Sequence, residues 1–301
     1  MAKNLLMRSL MFVPGHNERL LNSASRSNAD ILLLDLEDSV RPSFNKQIAR
    51  DTIQQFVETG KFSNHKVFPR VNDRESGFLL KDVYQLTIPG IAGFMYPKAH
   101  TGEDIYFFDK LLETIEYEKG LPVGTFKIIA LIETAAAVLN AQDICKASPR
   151  VVALAFGCED FVTNLEGIHD PEGISISTPR AMIAMAARAN KVIPIDTVHI
   201  KVHDLDDLER NPNIACKLGF EGMLVLNPKE LPLVHQYFSP TLEQLADSRE
   251  MLELYQEASR NNQGVAVKNG KFIGPPMVEM AKNILAKQTL IEKVQSSKNG
   301  K

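Results

Sequence analysis

The chain has 301 residues, of which 44% are hydrophobic and 24% are charged, a composition typical of folded globular proteins and not of disordered ones. Its net charge is −3 at pH 7, and no basic stripe interleaves with aromatic residues, so nucleic acid is not an expected partner. No stretch reaches the roughly 20 apolar residues that a membrane helix needs, and three cysteines without a CxxC pair exclude a disulfide framework. We expect a cytoplasmic protein.

Short apolar runs rich in β-branched residues alternate along the chain with amphipathic segments of helix length. The first run lacks the small-residue cleavage site of a signal peptide, so we interpret it as a strand. The helical pattern is clearest at 48–59, 104–119, 134–147 and 179–190. Eight strands are predicted, at 9–13, 31–37, 66–71, 91–96, 127–133, 151–156, 192–196 and 222–226.

This alternation of strands and helices predicts a parallel sheet, and the count of eight strands favours a closed (β/α)8 TIM barrel. A doubly wound open sheet is the alternative, but neither a GxGxxG nor a GxxxxGK[ST] fingerprint is present. We assign residues 1–238 to the barrel and 239–301 to a C-terminal helical extension. The extension is expected to contain a helix at 242–260, a short hairpin and a final helix from 276, and to cover either its own barrel or a neighbouring subunit's site.

Polar residues stand at the ends of the predicted strands, where the chemistry of such barrels lies. Asp35 and Glu37 alternate with leucines, so both carboxylates are expected to point inward. Arg70 ends the third strand, where its guanidinium could clamp a carboxylate or a thioester oxygen. The simpler alternative is that these three residues only form ion pairs with one another inside the barrel top.

Glu133 and Asp160 follow two adjacent predicted strands, and two carboxylates placed in this way could share a cation. Magnesium is commonly held by one or two carboxylates together with water and substrate oxygens. The alternative is that each carboxylate caps the helix that follows it. Spacing alone leaves both interpretations open.

Six ordered segments between Arg8 and Phe238 resemble the citrate lyase beta subunit-like proteins, an HpcH/HpaI aldolase-like superfamily that includes malyl-CoA, citramalyl-CoA and citryl-CoA lyases. The segments are RSLMFVPG, ADILLLDLEDSV, FPRVN, ALIETAAAVLN, ASPRVVALAFGCEDF and LGFEGMLVLNP. The resemblance implies a TIM barrel, usually a homotrimer, that binds Mg²⁺ through Glu133 and Asp160. It also implies that Arg70 contacts the substrate and that Asp35, Glu37 and Asp38 line the same cavity.

The reaction that this resemblance implies is the cleavage of a 3-hydroxy-acyl-CoA thioester to an acyl-CoA and an α-keto acid, with coenzyme A as part of the substrate. We assign Arg70, Asp35 and Glu37 to catalysis. A further set of turn and strand-end residues is predicted to bind the thioester: Pro14, Gly15, His16, Lys98 and Asn227.

The chain departs from the family pattern at two positions. Gly274, in GKFIGPP, takes the place of an aspartate that many members carry in a GKMxDxP segment, which puts thioester hydrolysis in doubt because glycine cannot transfer a proton. Asn227 stands where many members have a histidine. We therefore favour a carbon–carbon lyase, with a thioesterase or a citrate lyase beta-type subunit dependent on an acyl carrier protein as the alternatives.

Overall fold

A computed structural model describes residues 5–169, 173–201, 204–261, 264–268 and 271–299. Eight parallel strands pair in sequence order, and the last pairs with the first, which closes a barrel. The predicted (β/α)8 barrel is therefore confirmed, and an open doubly wound sheet is excluded. The strands are β1 (Ser9–Pro14), β2 (Ile31–Asp35), β3 (Lys66–Arg70), β4 (Gly93–Tyr96), β5 (Lys127–Ile132), β6 (Val151–Phe156), β7 (Ile193–Asp196) and β8 (Gly222–Val225).

Helices connect these strands and continue beyond the last one. None in the described ranges is long and apolar enough to cross a membrane. They are α1 (Glu18–Ala24), α2 (Asn45–Glu58), α3 (Leu79–Leu86), α4 (Gly102–Glu118), α5 (Ala135–Leu139), α6 (Ala141–Lys146), α7 (Cys158–Asn164), α8 (Ile174–Ala189), α9 (Leu205–Leu208), α10 (Arg210–Leu218), α11 (Leu231–Tyr237), α12 (Leu242–Arg260) and α13 (Pro275–Asn299).

Two predicted helices differ from the observed ones. The segment 134–147 is divided at Asn140, whose backbone leaves the helical region and whose side chain donates to the carbonyl of His100 at 3.1 Å. Helix α8 begins at Ile174 and runs through the buried Pro179, which the sequence pattern had suggested as a starting residue. At Asn140 a tertiary hydrogen bond overrides the local pattern.

The barrel core explains why the strands are nearly continuous apolar runs. Every residue of β2 and of β6 is buried, because a parallel barrel is covered by its interior on one face and by helices on the other. Gly222 allows the last strand to approach the first closely, since a Cβ built there would lie 1.8 Å from the carbonyl oxygen of Met7.

The chain divides into two compact units, with the boundary between His235 and Gln236. The second unit contains α12, α13 and an antiparallel strand pair, β9 (Ala266–Lys268) and β10 (Lys271–Ile273). Its small apolar core includes Ile273 and Val278. Gly274 follows β10, and a Cβ at this position would lie 2.5 Å from Cε1 of the exposed Phe272 ring, so any side chain there requires that ring to move.

Candidate active site at the carboxyl ends of the strands

The carboxyl ends of β2 and β3 form a charged corner around Arg70. Asp35 and Arg70 are direct partners in the β2–β3 register. Nε and Nη2 of Arg70 donate to the two oxygens of Asp35 at 2.7 and 2.8 Å, the bidentate geometry that a guanidinium favours. Nη1 lies 3.1 Å from Glu37 Oε2 and 3.4 Å from Asp38 Oδ2. One guanidinium therefore faces three carboxylates.

Asp35 is held as an anion by this corner. Burial alone would raise its pKa, but the charge and hydrogen bonds of Arg70, together with the Ser39 hydroxyl, lower the pKa of Asp35 to about 2. The backbone N–H groups of Glu37 and Ser39 each donate to it at 3.0 Å. The ion pair that the sequence suggested is present, and with its oxygens so engaged Asp35 acts on the site by holding Arg70. A direct catalytic part for Asp35 stays a prediction.

The loop that follows β2 is fixed from behind by a buried lysine. Nζ of Lys46 donates to the backbone carbonyls of Leu36 and Glu37, both at 2.6 Å, and burial lowers the pKa of this lysine. The N–H of Leu36 donates to the carbonyl of Arg70 at 3.0 Å. The loop is thereby tied to α2 and to β3.

Glu37 lies between two cations at the barrel mouth. Its Oε2 faces Arg70, and its Oε1 is 3.3 Å from Lys98 Nζ. Burial raises the pKa of Glu37 to about 6; Arg70 and Lys98 oppose this rise, and Asp38 and Asp35 add to it. Glu37 therefore changes its charge close to neutral pH, a property that is common among catalytic carboxylates.

Lys98 follows β4 and contacts acidic residues on both sides. Its backbone N–H donates to Glu133 Oε1 at 2.8 Å, while its Nζ lies 3.2 Å from Asp73 Oδ2 as well as near Glu37. Burial lowers the pKa of Lys98, but Glu37 and Asp73 outweigh it and leave the pKa raised. Asp73, which the sequence analysis did not single out, enters the site because it begins a 3₁₀ turn just after β3.

Glu133 stands directly after β5 and is almost completely buried, with 2% of its surface exposed. It does not cap α5, because the Thr134 side chain accepts from the N–H of Ala137 in that role. Burial raises the pKa of Glu133 to about 8, and the charges of Glu37 and Asp160 contribute to the rise. The nearest hydrogen-bond donor, the N–H of Lys98, only partly opposes it.

Asp160 lies in the first turn of α7 and is exposed at the barrel mouth. Its charge acts on Glu133, so the structure brings the two residues of the predicted metal pair into electrostatic contact. No side-chain hydrogen bond caps the N-terminus of α7 within the described residues. Capping therefore does not account for either carboxylate, although the position of Asp160 also suits the helix dipole.

These residues fit a hard cation such as Mg²⁺. The described part of the chain contains no group of three or more His, Cys, Asp or Glu side chains that could hold a metal ion, and Mg²⁺ is commonly held by one or two carboxylates together with water and substrate oxygens. Burial, and then the repulsion of Glu37 and Asp160, raise the pKa of Glu133, and a divalent cation would offset that repulsion. Gly157 borders the site, since a Cβ there would lie 3.1 Å from Glu133 Oε2.

The turn after β1 places its three predicted residues beside β2. Pro14 pairs with Asp35 in the strand register, and the N–H of Gly15 donates to the Asp35 carbonyl at 2.9 Å. A Cβ on Gly15 would lie 2.7 Å from that oxygen, so only glycine fits without displacement. Nδ1 of His16 is buried and finds no hydrogen-bond partner among the described residues. A role for His16 in binding the thioester stays a prediction.

The loop after β8 contains one predicted residue and one that was missed. The Asn227 amide oxygen accepts from the N–H of Lys229 at 3.0 Å, so it is engaged in starting a 3₁₀ turn. Glu230 ends that turn, fully buried, with no hydrogen-bond partner for either oxygen in the described ranges. Burial raises the pKa of Glu230 to about 7, opposed by the backbone N–H groups of Leu226 and Asn227. Its position just after a predicted strand was a signal available in the sequence.

A closed parallel barrel with carboxylates, an arginine and a lysine gathered at its carboxyl ends defines the class of (β/α)8-barrel enzymes. The sequence profile of the HpcH/HpaI aldolase/citrate lyase family matches residues 8–228. The chain belongs to this family, which confirms the resemblance and the expectation of an enzyme of the carbon–carbon lyase type.

Individual relatives extend over nearly the whole chain. Citrate lyase subunit beta of Leuconostoc mesenteroides subsp. cremoris is 30% identical and covers 95% of this chain and 94% of its own. A (3S)-malyl-CoA thioesterase of Cereibacter sphaeroides is 28% identical, covering 94% and 95%. An L-malyl-CoA/beta-methylmalyl-CoA lyase of Rhodobacter capsulatus is also 28% identical, covering 96% of each.

The fold is also that of solved structures. Protein CitE from Mycobacterium tuberculosis, in complex with magnesium, acetoacetate and coenzyme A, aligns with a TM-score of 0.73 and 24% identity over 95% of this chain and 99% of that one. At this identity the likeness shows the barrel fold and its connectivity.

Proposed function

We propose that this chain is a Mg²⁺-dependent carbon–carbon lyase that cleaves or forms a 3-hydroxy-acyl-CoA thioester of the citramalyl, malyl or citryl type. The observation that carries the proposal is the carboxylate pair formed by Glu133, directly after β5, and Asp160, in the first turn of α7. Glu133 is buried, its pKa is raised to about 8 and its carboxylate neighbours add to that rise, as expected of a site that is completed by a cation.

The comparisons support this choice of cation and substrate class. A solved relative of the same fold is described as a complex with magnesium, acetoacetate and coenzyme A, and another relative is named a malyl-CoA lyase. Glu133 and Asp160 would hold the ion here. When bound, Mg²⁺ supplies a Lewis acid that polarises the oxygens of the substrate's hydroxy-acid or keto-acid part.

The protein's own side chains would divide the remaining work. In the cleavage direction the substrate hydroxyl loses its proton, the bond between the second and third acyl carbons breaks, and its electron pair moves into the thioester as an enolate, which is then protonated at the second carbon. Arg70, charged and fixed by Asp35, orients the anionic substrate and stabilises charge on the enolate oxygen. Its long 3.4 Å contact with the half-exposed Asp38 is the one a substrate carboxylate would replace.

Glu37 is our choice as proton acceptor for the substrate hydroxyl. It is buried beside Arg70 and Lys98, and with its pKa at about 6 most of it is ionised at pH 7 while still close enough to neutral for proton transfer. The thioester itself would lie against the turn that carries His16 and against Lys98 and Asn227, the residues assigned to it from the sequence.

The test is direct incubation of the purified chain with Mg²⁺ and a panel of hydroxyacyl-CoA thioesters, with products followed by mass spectrometry. We expect an acyl-CoA and an α-keto acid in equal amounts, abolished by a chelator and restored by Mg²⁺. Substrates recovered intact across the whole panel, at a Mg²⁺ concentration that saturates the protein, would remove the proposal.

A thioesterase is the alternative that a named relative favours. It predicts free coenzyme A thiol without an acyl-CoA product in the same assay. Gly274 argues against it, since the position has no side chain and the Phe272 ring occupies the adjoining space. Activity that appears only with an acyl carrier protein thioester would indicate a citrate lyase beta-type subunit instead. The cytoplasmic location, the trimer and the covering role of the extension stay predictions.

A further inference from the structure

Lys98 has an unusual backbone conformation for a residue at the end of a strand. Its φ is 52°, in the left-handed region, which disfavours side chains other than glycine, asparagine and aspartate. Glu166 and Lys191 are the other non-glycine residues with positive φ in the described ranges. Strained residues of this kind persist where the surrounding structure requires them, and they concentrate at functional sites.

The two other cases have an ordinary cause. Glu166 follows the last residues of α7, and Lys191 follows the last residues of α8. At both positions the next residue's N–H bonds back across the helix end, from Gly167 to Val162 at 3.0 Å and from Val192 to Ala187 at 2.9 Å. This is the common left-handed ending of a helix. Lys98 follows β4, where no helix ends.

The left-handed conformation of Lys98 accompanies a hydrogen bond to Glu133. The Lys98 N–H donates to Oε1 at 2.8 Å. The opposite oxygen, Oε2, lies beside Gly157, where even a Cβ would come within 3.1 Å. One oxygen of the carboxylate thus accepts the Lys98 N–H, which orients it, and the other lies beside a residue without a side chain.

The side chain of Lys98 extends the other way. Its Nζ lies 3.3 Å from Glu37 Oε1 and 3.2 Å from Asp73 Oδ2. A glycine would adopt the backbone conformation without strain but would leave these two carboxylates without their cation. A lysine held in the left-handed region supplies both the N–H and the ammonium group.

We infer that Lys98 is a positioning residue for the metal site: its left-handed backbone orients the Glu133 carboxylate that would hold the cation, while its ammonium group braces Glu37 and Asp73. The inference rests on the proposed function. Two properties of Lys98 can be tested separately. The orientation of Glu133 depends on the backbone of Lys98, and the positions of Glu37 and Asp73 depend on its charge.

The experiment compares two neutral variants of similar size, Lys98→Asn and Lys98→Val. Asparagine tolerates the left-handed region and valine does not. The readout is Mn²⁺ affinity without substrate, measured by electron paramagnetic resonance with Mg²⁺ competition. We expect Lys98→Asn to bind Mn²⁺ nearly as tightly as the native chain, and Lys98→Val to bind about tenfold more weakly. Both lose turnover, because both lack the ammonium group.

Matched controls use the helix-end lysine. Lys191→Val carries the same backbone strain away from the site and should leave Mn²⁺ affinity unchanged; an equal loss there would show general destabilisation and overturn the inference. If Lys98→Val does not fold by circular dichroism, Lys98→Gly against Lys98→Ala makes the same comparison, with the glycine variant expected to bind more tightly.

The outcomes separate this inference from the proposal beneath it. If the native chain binds no Mn²⁺, the proposed metal site is wrong, and so is the positioning role of Lys98. A native chain that binds Mn²⁺, with equal affinity in the asparagine and valine variants, leaves the metal site in place and overturns the role of Lys98 alone.

Discussion

Two groups of residues at the barrel mouth shift the pKa of a buried carboxylate in opposite directions. At the ends of β2 and β3, Asp35 receives a bidentate arginine and two backbone N–H groups, and its pKa falls to about 2. At the end of β5, Glu133 receives one backbone N–H and two like-charged neighbours, and its pKa rises to about 8. Burial is nearly the same at both positions.

The difference shows that burial does not by itself decide what a carboxylate does. Asp35 has its counter-charge within the chain, so it contributes to the folded structure and fixes Arg70. For Glu133, the attraction of Arg70 and one N–H do not offset burial and two like-charged neighbours, so its ionised form costs stability in the metal-free chain and a bound cation would recover that stability.

The largest expected effect comes from Glu133→Gln, which keeps the shape of the side chain and removes the charge. We expect kcat/KM to fall on the order of a thousandfold, because a metal ligand is lost. The metal-free variant should unfold no earlier than the native chain, since glutamine replaces a buried carboxyl that is mostly protonated at pH 7 and so removes no favourable charge interaction. A urea titration without Mg²⁺ checks this, and a marked loss of stability would show that Glu133 is already compensated.

Asp35→Asn, at the ends of β2 and β3, should lower the stability of the chain, in contrast to Glu133→Gln. Breaking a buried ion pair from one side leaves Arg70 without its main partner, at a cost of about 3 kcal/mol in the free energy of unfolding. Urea unfolding measures that cost, and activity should fall as well because Arg70 is no longer oriented. Stability unchanged within error would mean that Glu37 and Asp38 hold Arg70 without Asp35.

The pH dependence of thermal unfolding should distinguish the surroundings of Glu133 from those of Asp35. The folded-state pKa of Glu133 is raised from 4.5 to about 8, so its contribution is present below pH 4.5 and is lost as pH rises through about 8. Mg²⁺ binds the ionised form. We expect Mg²⁺ to raise Tm more at pH 8.5 than at pH 6, and Glu133→Gln to abolish that difference. A Mg²⁺ effect that is the same at both pH values would contradict the assigned shift.

The smallest effect is expected from Gly157→Ala. The new methyl group would lie 3.0 Å from Glu133 Cβ and 3.1 Å from Oε2, so the carboxylate must shift slightly. We expect metal affinity to weaken by several-fold, roughly the effect of small disturbances next to a metal ligand, with little change in stability. Gly167→Ala is a control on the same connection. Tighter metal binding in Gly157→Ala would mean that Glu133 is badly placed in the native chain.

Much of this architecture could be predicted from the sequence, because strand ends follow from where apolar runs stop. The runs predicted at 31–37, 66–71 and 127–133 carry Asp35, Arg70 and Glu133 at or near their ends, and in a parallel barrel all such ends meet at one face. The alternation in LLLDLED also placed Asp35 and Glu37 together. Those predictions needed only local pattern and the rule of the fold.

Other parts of the site depend on distances that no local pattern contains. The contact of Asp73 with Lys98 joins two separate loops. The positive φ of Lys98 accompanies a hydrogen bond to Glu133, which follows a different strand. Glu230 reads as a polar loop residue in the sequence and is fully buried in the fold. The roles assigned to individual residues stay predictions until the variants above are measured.

The lysine behind the β2 loop has a consequence for motion. Lys46 fastens two carbonyls of the loop, and the amides of Leu36, Glu37, Ser39 and Val40 are all hydrogen-bonded. Opening this loop would break several of these bonds at once, so its amide hydrogens should exchange with solvent slowly compared with other loops of the barrel mouth. We therefore expect the loop that carries Glu37 and Asp38 to stay in place when a substrate binds. Any closure around the substrate would come from other loops at the barrel mouth.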